Sequence, residues 1–382
     1  MFMLGYLGGS ALALPGAWSG EGIESRLLWG CIIVGAVLVV PTSFARTGHL
    51  LPPLIAALRN PGVAYAAALA RQSAMGSAII VEYVRVLVGP LLFAVFPLTV
   101  YYWDTISTAE KVGGLLVTMG YIMIGLSTGQ NATIAEFVLL MPWIVIAGIW
   151  SGHIRVNRFR SWTAIVLVLV MLLSFLVSFS AGQQTRYGSY NATGWFMWTG
   201  TRADTNNWFV RIFPRRLQAG ALGLSSYLTQ GYYALSLALD KPFIPMFGVG
   251  SSMFLYNNAA QFLGNPHIAE LPYPERLQQE NGWDARILWS TVYAWLASDL
   301  SFPGVVLLMG LVGFLLAVSW RDTLSGGGPF AVLFLAQLLM FCYYIPAGNR
   351  VAQGPEQLVT FWVIFAAWGL TRRRIRWGDR GT

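Results

Sequence analysis

The stretch LLWGCIIVGAVLVVPTSFA, residues Leu27–Ala45, carries no charged side chain along its whole length. An apolar segment of roughly 20 residues can cross the roughly 30 Å hydrocarbon core of a bilayer as an α-helix. The whole chain has the same character, since 56% of its 382 residues are hydrophobic and only 10% are charged. That composition excludes a soluble domain. The sequence therefore predicts an all-α, polytopic integral membrane protein.

Further stretches are comparably apolar, and each predicts a membrane-spanning helix. They are Val86–Trp103, Val112–Gly129, Ile134–Trp150, Trp162–Ala181, Pro303–Trp320, Pro329–Pro346 and Leu358–Leu370.

Two more stretches are irregular. Met1–Trp18 is broken by glycines and Pro15, and it lacks a basic start and a clear cleavage site, so it predicts a full or half span rather than a signal peptide. Val63–Val81 is interrupted by Arg71 and predicts either a span or a helix on the cytoplasmic surface. The predicted total is about nine to eleven transmembrane helices.

Arginines set the predicted orientation, because short cytoplasmic loops carry an excess of Lys and Arg. Three arginines lie in the loop His153–Arg160 and five in the tail after Leu370, so both segments, including the C-terminus, are predicted to be cytoplasmic. Counting spans from there places the long polar region Gly182–Pro303 on the extracytoplasmic face. The chain is predicted to form one transmembrane domain, 1–382, with residues 182–302 as a large extracytoplasmic loop containing short helices.

Several classes of partner and site are disfavoured. Much of the formal charge of +8 lies in cytoplasmic segments, where it sets topology and meets anionic lipid headgroups, so no nucleic-acid partner is predicted. Cys31 and Cys342 each sit in an apolar span and are predicted to be packing residues. The run Gly248–Ser252 lacks the preceding strand and the following Lys-Ser/Thr of a nucleotide loop; its glycines predict a sharp turn. Neither a metal nor a cofactor is predicted.

A cationic cluster, Arg211, Arg215 and Arg216, precedes the apolar stretch Leu217–Leu239. That stretch also carries serines, tyrosines and Gln230, so it predicts a helix packed inside the bundle or along a cavity, with arginines at its N-terminal end. Arginine binds phosphate oxygens in a bidentate way, which suits a lipid diphosphate. The alternative is that these arginines extend to the lipid headgroups.

Two further titratable residues are candidates for catalysis. Asp299 lies just before the span that starts at Pro303, where a carboxylate is costly unless paired or wet; it is a functional candidate, a helix cap or a partner of Arg286. His267 is a candidate base or a solvated loop residue. Arg350, in a short outer loop, reaches the same cavity or pairs with nearby Glu356.

Short motifs in the polar region resemble those of one family. They are Tyr227–Leu235 (YLTQGYYAL), Phe247–Ser251 (FGVGS), Asn257-Asn258, Trp289–Thr291 (WST), Ser298–Leu300 (SDL) and Gly304. Together with many spans and one large outer loop in the C-terminal half, they resemble the oligosaccharide repeat unit polymerases, the Wzy-type polymerases of O-antigen, capsule and exopolysaccharide. The motifs cover residues 183–320.

The resemblance implies a metal-independent glycosyltransferase of the bacterial inner membrane that joins undecaprenyl-diphosphate-linked repeat units at the outer leaflet. In such enzymes outer-loop arginines hold the diphosphate. Its substrate would be the lipid-linked oligosaccharide, its surroundings membrane lipids, and a chain-length regulator is a further partner that the family allows. The residues predicted to be catalytic are Arg211, Arg215, Arg216, Asp299 and His267, and the predicted substrate contacts are Arg202, Tyr227, Tyr232, Arg276, Arg286 and Arg350.

The sequence departs from the family in one respect and leaves alternatives open. An arginine followed by ten residues and a glycine is typical of the family, whereas Arg211 is followed by Gly223 one position late. An O-antigen ligase has the same layout and donor. A non-enzymatic transporter of lipid-linked glycans is the alternative of different class; its best feature here is the pair Glu82 and Arg85, whose spacing predicts a local salt bridge.

Overall fold

The computed structural model describes residues 1–12, 22–73, 76–130, 132–155, 157, 166, 169–170, 172–177, 179–180, 196–197, 201–202, 204, 206–285 and 288–378. Most of these residues are helical. The helices are α1 Phe2–Ser10, α2 Ile23–Thr47, α3 Leu54–Arg59, α4 Pro61–Ser73, α5 Ile79–Tyr101, α6 Thr108–Ser127, α7 Ala132–Trp150, α8 Trp208–Arg211, α9 Arg215–Leu239, α10 Met253–Phe262, α11 Tyr273–Asn281, α12 Val292–Leu324, α13 Pro329–Tyr343 and α14 Pro355–Gly378.

Short 3-10 turns occur at Gly76–Ala78 and Pro266–Glu270. The strands β1 Phe196–Met197 and β2 Thr201–Arg202 pair antiparallel, with Phe196 opposite Arg202. This two-residue pair leaves the fold class unchanged.

Within the described residues, five helices are long and apolar enough to span a membrane: α2, α5, α6, α7 and α12. They contain or closely match five of the predicted spans, and α13 is a shorter apolar helix over a sixth. The prediction of an all-α polytopic membrane protein is confirmed. The predicted span Trp162–Ala181 falls largely outside the described residues.

The irregular stretch Val63–Val81 is not one helix. Helix α4 ends at Ser73, and α5 begins at Ile79 after the 3-10 turn. With a rise of about 1.5 Å per residue, α4 reaches about 20 Å, which is short of the roughly 30 Å hydrocarbon core. Of the two interpretations, the geometry favours a helix that does not span the membrane.

The chain divides into two compact units. The second unit, Ala17–Gly223, contains α2 to α8, and its helices approach closely where small residues face their neighbours. A Cβ added to Gly35 would lie 2.6 Å from Val117 Cγ1, and one added to Gly114 would lie 2.2 Å from Thr99 Oγ1.

A partly buried ion network lies in this second unit. The carboxylate of Glu82 is 2.9 Å from Arg46 Nε and 3.5 Å from Arg85 Nε, and Arg85 is only 5% exposed. Arg85 also donates to Thr42 Oγ1 at 3.3 Å. The predicted local salt bridge between Glu82 and Arg85 is therefore confirmed, and a second arginine completes it.

The first unit combines Met1–Gly16 with Leu224–Thr382. Helix α1 packs along α12 through glycines, since a Cβ on Gly5 would lie 1.8 Å from the Gly310 carbonyl oxygen and one on Gly313 would lie 2.1 Å from the Phe2 carbonyl oxygen. At the far end, Arg321 donates to the carbonyls of Ser10 and Leu12. Helix α1 is thus held by direct backbone approach rather than by interlocking side chains.

The packing of α1 on α12 leads to a prediction for two glycines of α1. Gly5→Leu should lower the unfolding temperature of the protein in lipid nanodiscs, because overpacking a tight contact costs about 1–3 kcal/mol or more. Gly8→Leu is the matched control, since a Cβ there meets nothing within 4 Å. Equal unfolding temperatures for the two variants would contradict the packing of α1 on α12.

Helix α12 contains a break at Ser301, where φ is 61° and ψ is 166°. Pro303 follows, and a proline inside a helix removes a backbone donor and clashes with the preceding turn. The break separates a short segment, Val292–Leu300, from the apolar part of the helix. The predicted start of the span at Pro303 therefore coincides with a real change in backbone direction.

Candidate functional site

The predicted extracytoplasmic region, residues 182–302, contains α8 to α11 and the first part of α12. In the first unit, several of the segments that carry the family resemblance come together with a loop later in the chain. We call this assembly the motif cluster: residues 227–231 of α9, the loop 246–252, the segment 289–292 and the loop 345–353. It is held by hydrogen bonds between residues that are far apart in sequence.

Asp299 of α12 is hydrogen-bonded to the loop 246–252. Its Oδ1 accepts the backbone N–H groups of Gly248 at 2.8 Å and Gly250 at 2.9 Å, and its Oδ2 accepts that of Ser251 at 2.8 Å. A carboxylate that accepts several N–H bonds is a strong anchor. Asp299 was predicted as a functional candidate, as a helix cap or as a partner of Arg286; in the structure its carboxylate holds this loop.

The loop itself is a sharp turn, as its glycines predict. Gly248 has φ +95°, and a Cβ on Gly250 would lie 2.8 Å from the Cβ of Ser298. Phe247 has φ +53°, which is rare for a non-glycine residue, and its side chain is 90% exposed. Strain of this kind persists where the surroundings over-determine the backbone, and here the three bonds to Asp299 do so.

The loop 345–353 joins the cluster from the other side. Val292 N donates to the Ile345 carbonyl at 2.9 Å, and Asn349 Nδ2 donates to the Ser251 carbonyl at 2.9 Å. Phe254 N donates to the Gln353 carbonyl at 3.3 Å. The two loops and the start of α12 therefore form one connected body.

Helix α9 reaches the cluster through a glycine. A Cβ on Gly231 would lie 1.9 Å from the Pro346 carbonyl oxygen and 3.2 Å from Thr291 N. One turn earlier, the ring of Tyr227 packs on that of Trp289 with their centroids 4.2 Å apart. The predicted helix over Leu217–Leu239 is confirmed, and it contacts the motif cluster through Tyr227 and Gly231.

Four buried polar side chains of the cluster have atoms without a hydrogen-bond partner among the described residues. They are both side-chain polar atoms of Gln230, the hydroxyls of Ser290 and Thr291, and Oδ1 of Asn349, all on residues no more than 5% exposed. Each such atom costs about 1–3 kcal/mol relative to a satisfied one. An accumulation of this kind in one place is typical of a site that serves function rather than stability.

Arg276, predicted as a substrate contact, is buried in α11 with only 7% exposure. Its guanidinium donates to the Pro242 carbonyl at 2.9 Å and lies 4.5 Å from the ring centroid of Tyr273. Its Nε has no partner, and no acidic side chain pairs with it among the described residues. The neighbouring carboxylate of Glu275 instead accepts the hydroxyl of Tyr256. A buried cation without a counter-charge is costly, which makes Arg276 suited to an anionic ligand.

The other arginines predicted as site residues are less buried than Arg276 or have side chains outside the described part of the chain. Arg211, at the end of α8, is exposed and donates to Asn206 Oδ1 at 3.0 Å, and Arg215 is exposed at the start of α9. Arg350 is half-buried and lies 5.8 Å from the ring centroid of Tyr344. Arg216 and Arg202 belong to α9 and β2, but their side chains lie outside the described part, as does all of Arg286.

The predicted residues thus fall into two groups. Arg211 and Arg215 belong to the second unit, whereas Asp299, His267 and Arg276 belong to the first, together with Arg350, Tyr227 and Tyr232.

His267 is exposed on the 3-10 turn, with its Nδ1 2.9 Å from Glu270 Oε2. The next residues, Ile268 and Ala269, pack against a buried apolar group that includes Trp295 of α12. The turn is therefore attached to the motif cluster, and Nε2 of His267 is left available for proton transfer. Tyr232, also predicted as a contact, is 48% exposed on α9.

Sequence reasoning missed Asn349 and Gln353 as parts of the site. Both lie in the short loop between two apolar segments. The prediction there considered only the charged residues, Arg350 and Glu356. Gln230, Ser290 and Thr291 were noted as motif residues without a role. Uncharged polar side chains within otherwise apolar segments were the available signal.

No family model, no curated protein and no solved structure matches this chain. The resemblance to the repeat unit polymerases therefore rests on the short motifs and the layout alone.

Proposed function

We propose that this protein is a membrane glycosyltransferase that polymerises undecaprenyl-diphosphate-linked oligosaccharide repeat units into a surface polysaccharide. One observation carries the proposal: the separate segments that resemble the polymerases meet in a single body, tied by Asp299 and by the contact of Tyr227 with Trp289. We place this body on the extracytoplasmic face of a bacterial inner membrane, with the C-terminus cytoplasmic.

The proposed reaction transfers the growing glycan from its lipid carrier to an incoming repeat unit. A hydroxyl oxygen of the acceptor sugar attacks the anomeric carbon of the donor. The bond from that carbon to the diphosphate oxygen breaks, and its electron pair leaves with the lipid diphosphate. The acceptor hydroxyl gives up its proton, and a new glycosidic bond results. The main demand on the protein is positive charge for the leaving diphosphate.

Arg276 is the described cation best suited to that demand. It is already desolvated, so its attraction to an anion is weakened little by water, and in the described part of the chain no carboxylate competes for it. Exposed Arg211 and Arg215 are better suited to attracting an anionic headgroup than to stabilising charge in the transition state. Within the proposal, Arg276 is the primary diphosphate ligand, and Arg211, Arg215 and Arg216 attract the anionic substrate.

His267 is the proposed proton acceptor. Glu270 holds its Nδ1, which leaves Nε2 to receive the proton of the acceptor hydroxyl. The carboxylate of Asp299 is occupied by three backbone N–H groups, so it is a positioning residue in this scheme.

The test is a gene deletion complemented with wild-type or variant protein, followed by gel analysis of the cell's surface glycans. Loss of the polymer ladder with single repeat units still displayed supports a polymerase. An unchanged ladder rejects it. Loss of all surface glycan with lipid-linked chains accumulating points to a ligase or a transporter.

Arg276→Met should abolish the ladder at normal expression, because removing one group that stabilises transition-state charge costs about 10²–10³-fold in rate. The unfolding temperature should change little, because loss of the bond to the Pro242 carbonyl and of the contact with the Tyr273 ring is offset by removal of a buried cation that no acidic side chain pairs with among the described residues. Arg59→Met, at an exposed arginine of α3, is the matched control and should keep the ladder. A normal ladder from Arg276→Met would remove this residue from the mechanism.

A further inference from the structure

We infer that Gln230, Ser290, Thr291 and Asn349 form a binding site for an uncharged sugar of the repeat unit. The inference deepens the proposed function and rests on it for the identity of the ligand. The four residues come from α9, from the segment before α12 and from the loop 345–353, which meet at the contact of Gly231 with Pro346 and Thr291. Their unpaired atoms are the physical basis of the inference.

The chemistry of these groups matches a saccharide. The carboxamide of Gln230 and the two hydroxyls can both donate and accept hydrogen bonds, as sugar hydroxyls and acetamido groups do, and Oδ1 of Asn349 can accept one. No side chain of the four carries a charge, so the set favours a neutral ligand over a phosphate or a carboxylate. A ligand that satisfies several buried polar groups at once gains specificity, because an analogue without the matching group leaves them unpaired.

Aromatic side chains border the same place. The half-buried Trp289 immediately precedes Ser290 and packs on Tyr227. The indole Nε1 of Trp295 would be 3.6 Å from a Cβ on Gly348, the residue before Asn349. Flat aromatic faces beside hydroxyl and amide groups provide the apolar and polar contacts that a pyranose ring requires.

The site is closed in this structure, since the unpaired atoms are shielded from solvent. A sugar reaches them when the loop 345–353 moves away from α9. The two are in contact at Gly231 through backbone atoms, so they can separate without releasing an interlocked side chain. Hydrogen bonds to the sugar then satisfy the buried polar atoms, and this favourable free energy offsets the free energy needed to open the site.

The test uses isosteric removal of one hydroxyl, Thr291→Val, in the full-length protein in nanodiscs. Without ligand, its unfolding temperature should equal or exceed that of the wild type, because an unsatisfied buried hydroxyl has been removed. Thr99→Val is the matched control, at another buried threonine whose hydroxyl has no partner among the described residues, in α5 of the second unit. The probe is the oligosaccharide mixture released by mild acid from the producing cell's surface polysaccharide.

The probe should raise the unfolding temperatures of the wild type and of Thr99→Val. Thr291→Val should bind it at least about tenfold more weakly, as loss of one hydrogen bond to a buried group predicts. An unchanged response of Thr291→Val, or no response of the wild type, would overturn the sugar site. If the sugar response holds while gene deletion leaves the ladder intact, the proposed polymerase activity fails and the binding site stands.

Discussion

Gly231→Ala should eliminate the surface polymer ladder and destabilise the protein more than any other single methyl addition in the motif cluster. The new Cβ would lie 1.9 Å from the Pro346 carbonyl oxygen and 3.2 Å from Thr291 N. Both are backbone atoms, which cannot rotate away as a side chain can. Overpacking of this kind costs about 1–3 kcal/mol and more where the backbone must shift. Thermal unfolding in nanodiscs and the glycan gel measure the two effects.

Gly369→Ala is the control for Gly231→Ala. It lies in α14 of the same unit, and a Cβ there meets nothing within 4 Å. Replacing a helical glycine by alanine without a clash stabilises a helix by about 0.5–1 kcal/mol. Gly369→Ala should therefore unfold at the wild-type temperature or above and keep the ladder. If the two variants behave alike, α9 does not meet the loop 345–353 at Gly231.

Asp299→Ala should release the loop 246–252. Three backbone N–H groups lose a charged acceptor, and hydrogen bonds to charged groups contribute about 1.5–3 kcal/mol each when well formed. Because Asp299 is partly exposed, a total loss of about 3 kcal/mol is expected. Hydrogen exchange at the amides of Gly248, Gly250 and Ser251 should accelerate by two or more orders of magnitude, which is measured by labelling the full-length protein in nanodiscs and analysing peptides of the quenched sample by mass spectrometry.

Two comparisons define the role of Asp299. Asp204→Ala removes an exposed carboxylate that accepts one backbone N–H, from Asn206 at 2.9 Å, and should change exchange only locally. Asp299→Asn keeps one oxygen, which can still accept from Gly248 and Gly250, so it should retain more protection than the alanine variant. Unaltered exchange of the loop amides in Asp299→Ala would show that the carboxylate does not anchor the loop.

The membrane fold was largely predictable because hydrocarbon imposes a strong requirement on the sequence. Backbone groups in a bilayer must be satisfied internally, so a long apolar segment such as Leu27–Ala45 has to be helical, and α2 encloses it. The break at Ser301 was also foreseeable, because Pro303 cannot continue an undisturbed helix. The stretch Val63–Val81 was ambiguous because its composition suits either location.

The site was less predictable because its contacts join residues far apart in the chain. Asp299 was noticed for its charge, but nothing local to it indicates that Gly248 and Ser251 supply its partners. Asn349 is 98 residues from the carbonyl it contacts. The burial of Arg276 likewise depends on packing against Pro242 and Tyr273, which the sequence spacing does not disclose. The candidate residues could be selected from the sequence by their charge, but only the tertiary contacts show which of them are buried or hydrogen-bonded.

The packing of α1 on α12 also has a consequence for synthesis and insertion. The contact between Arg321 and Ser10 joins residues 311 positions apart, so α1 is synthesised well before the helix on which it packs. At about 5–20 residues per second, that interval is about 15–60 s. During it, the glycine face of α1 meets lipid, the translocon or a membrane chaperone. The packing of α1 is therefore completed only after α12 has been made, and any truncation before α12 leaves α1 without its partner.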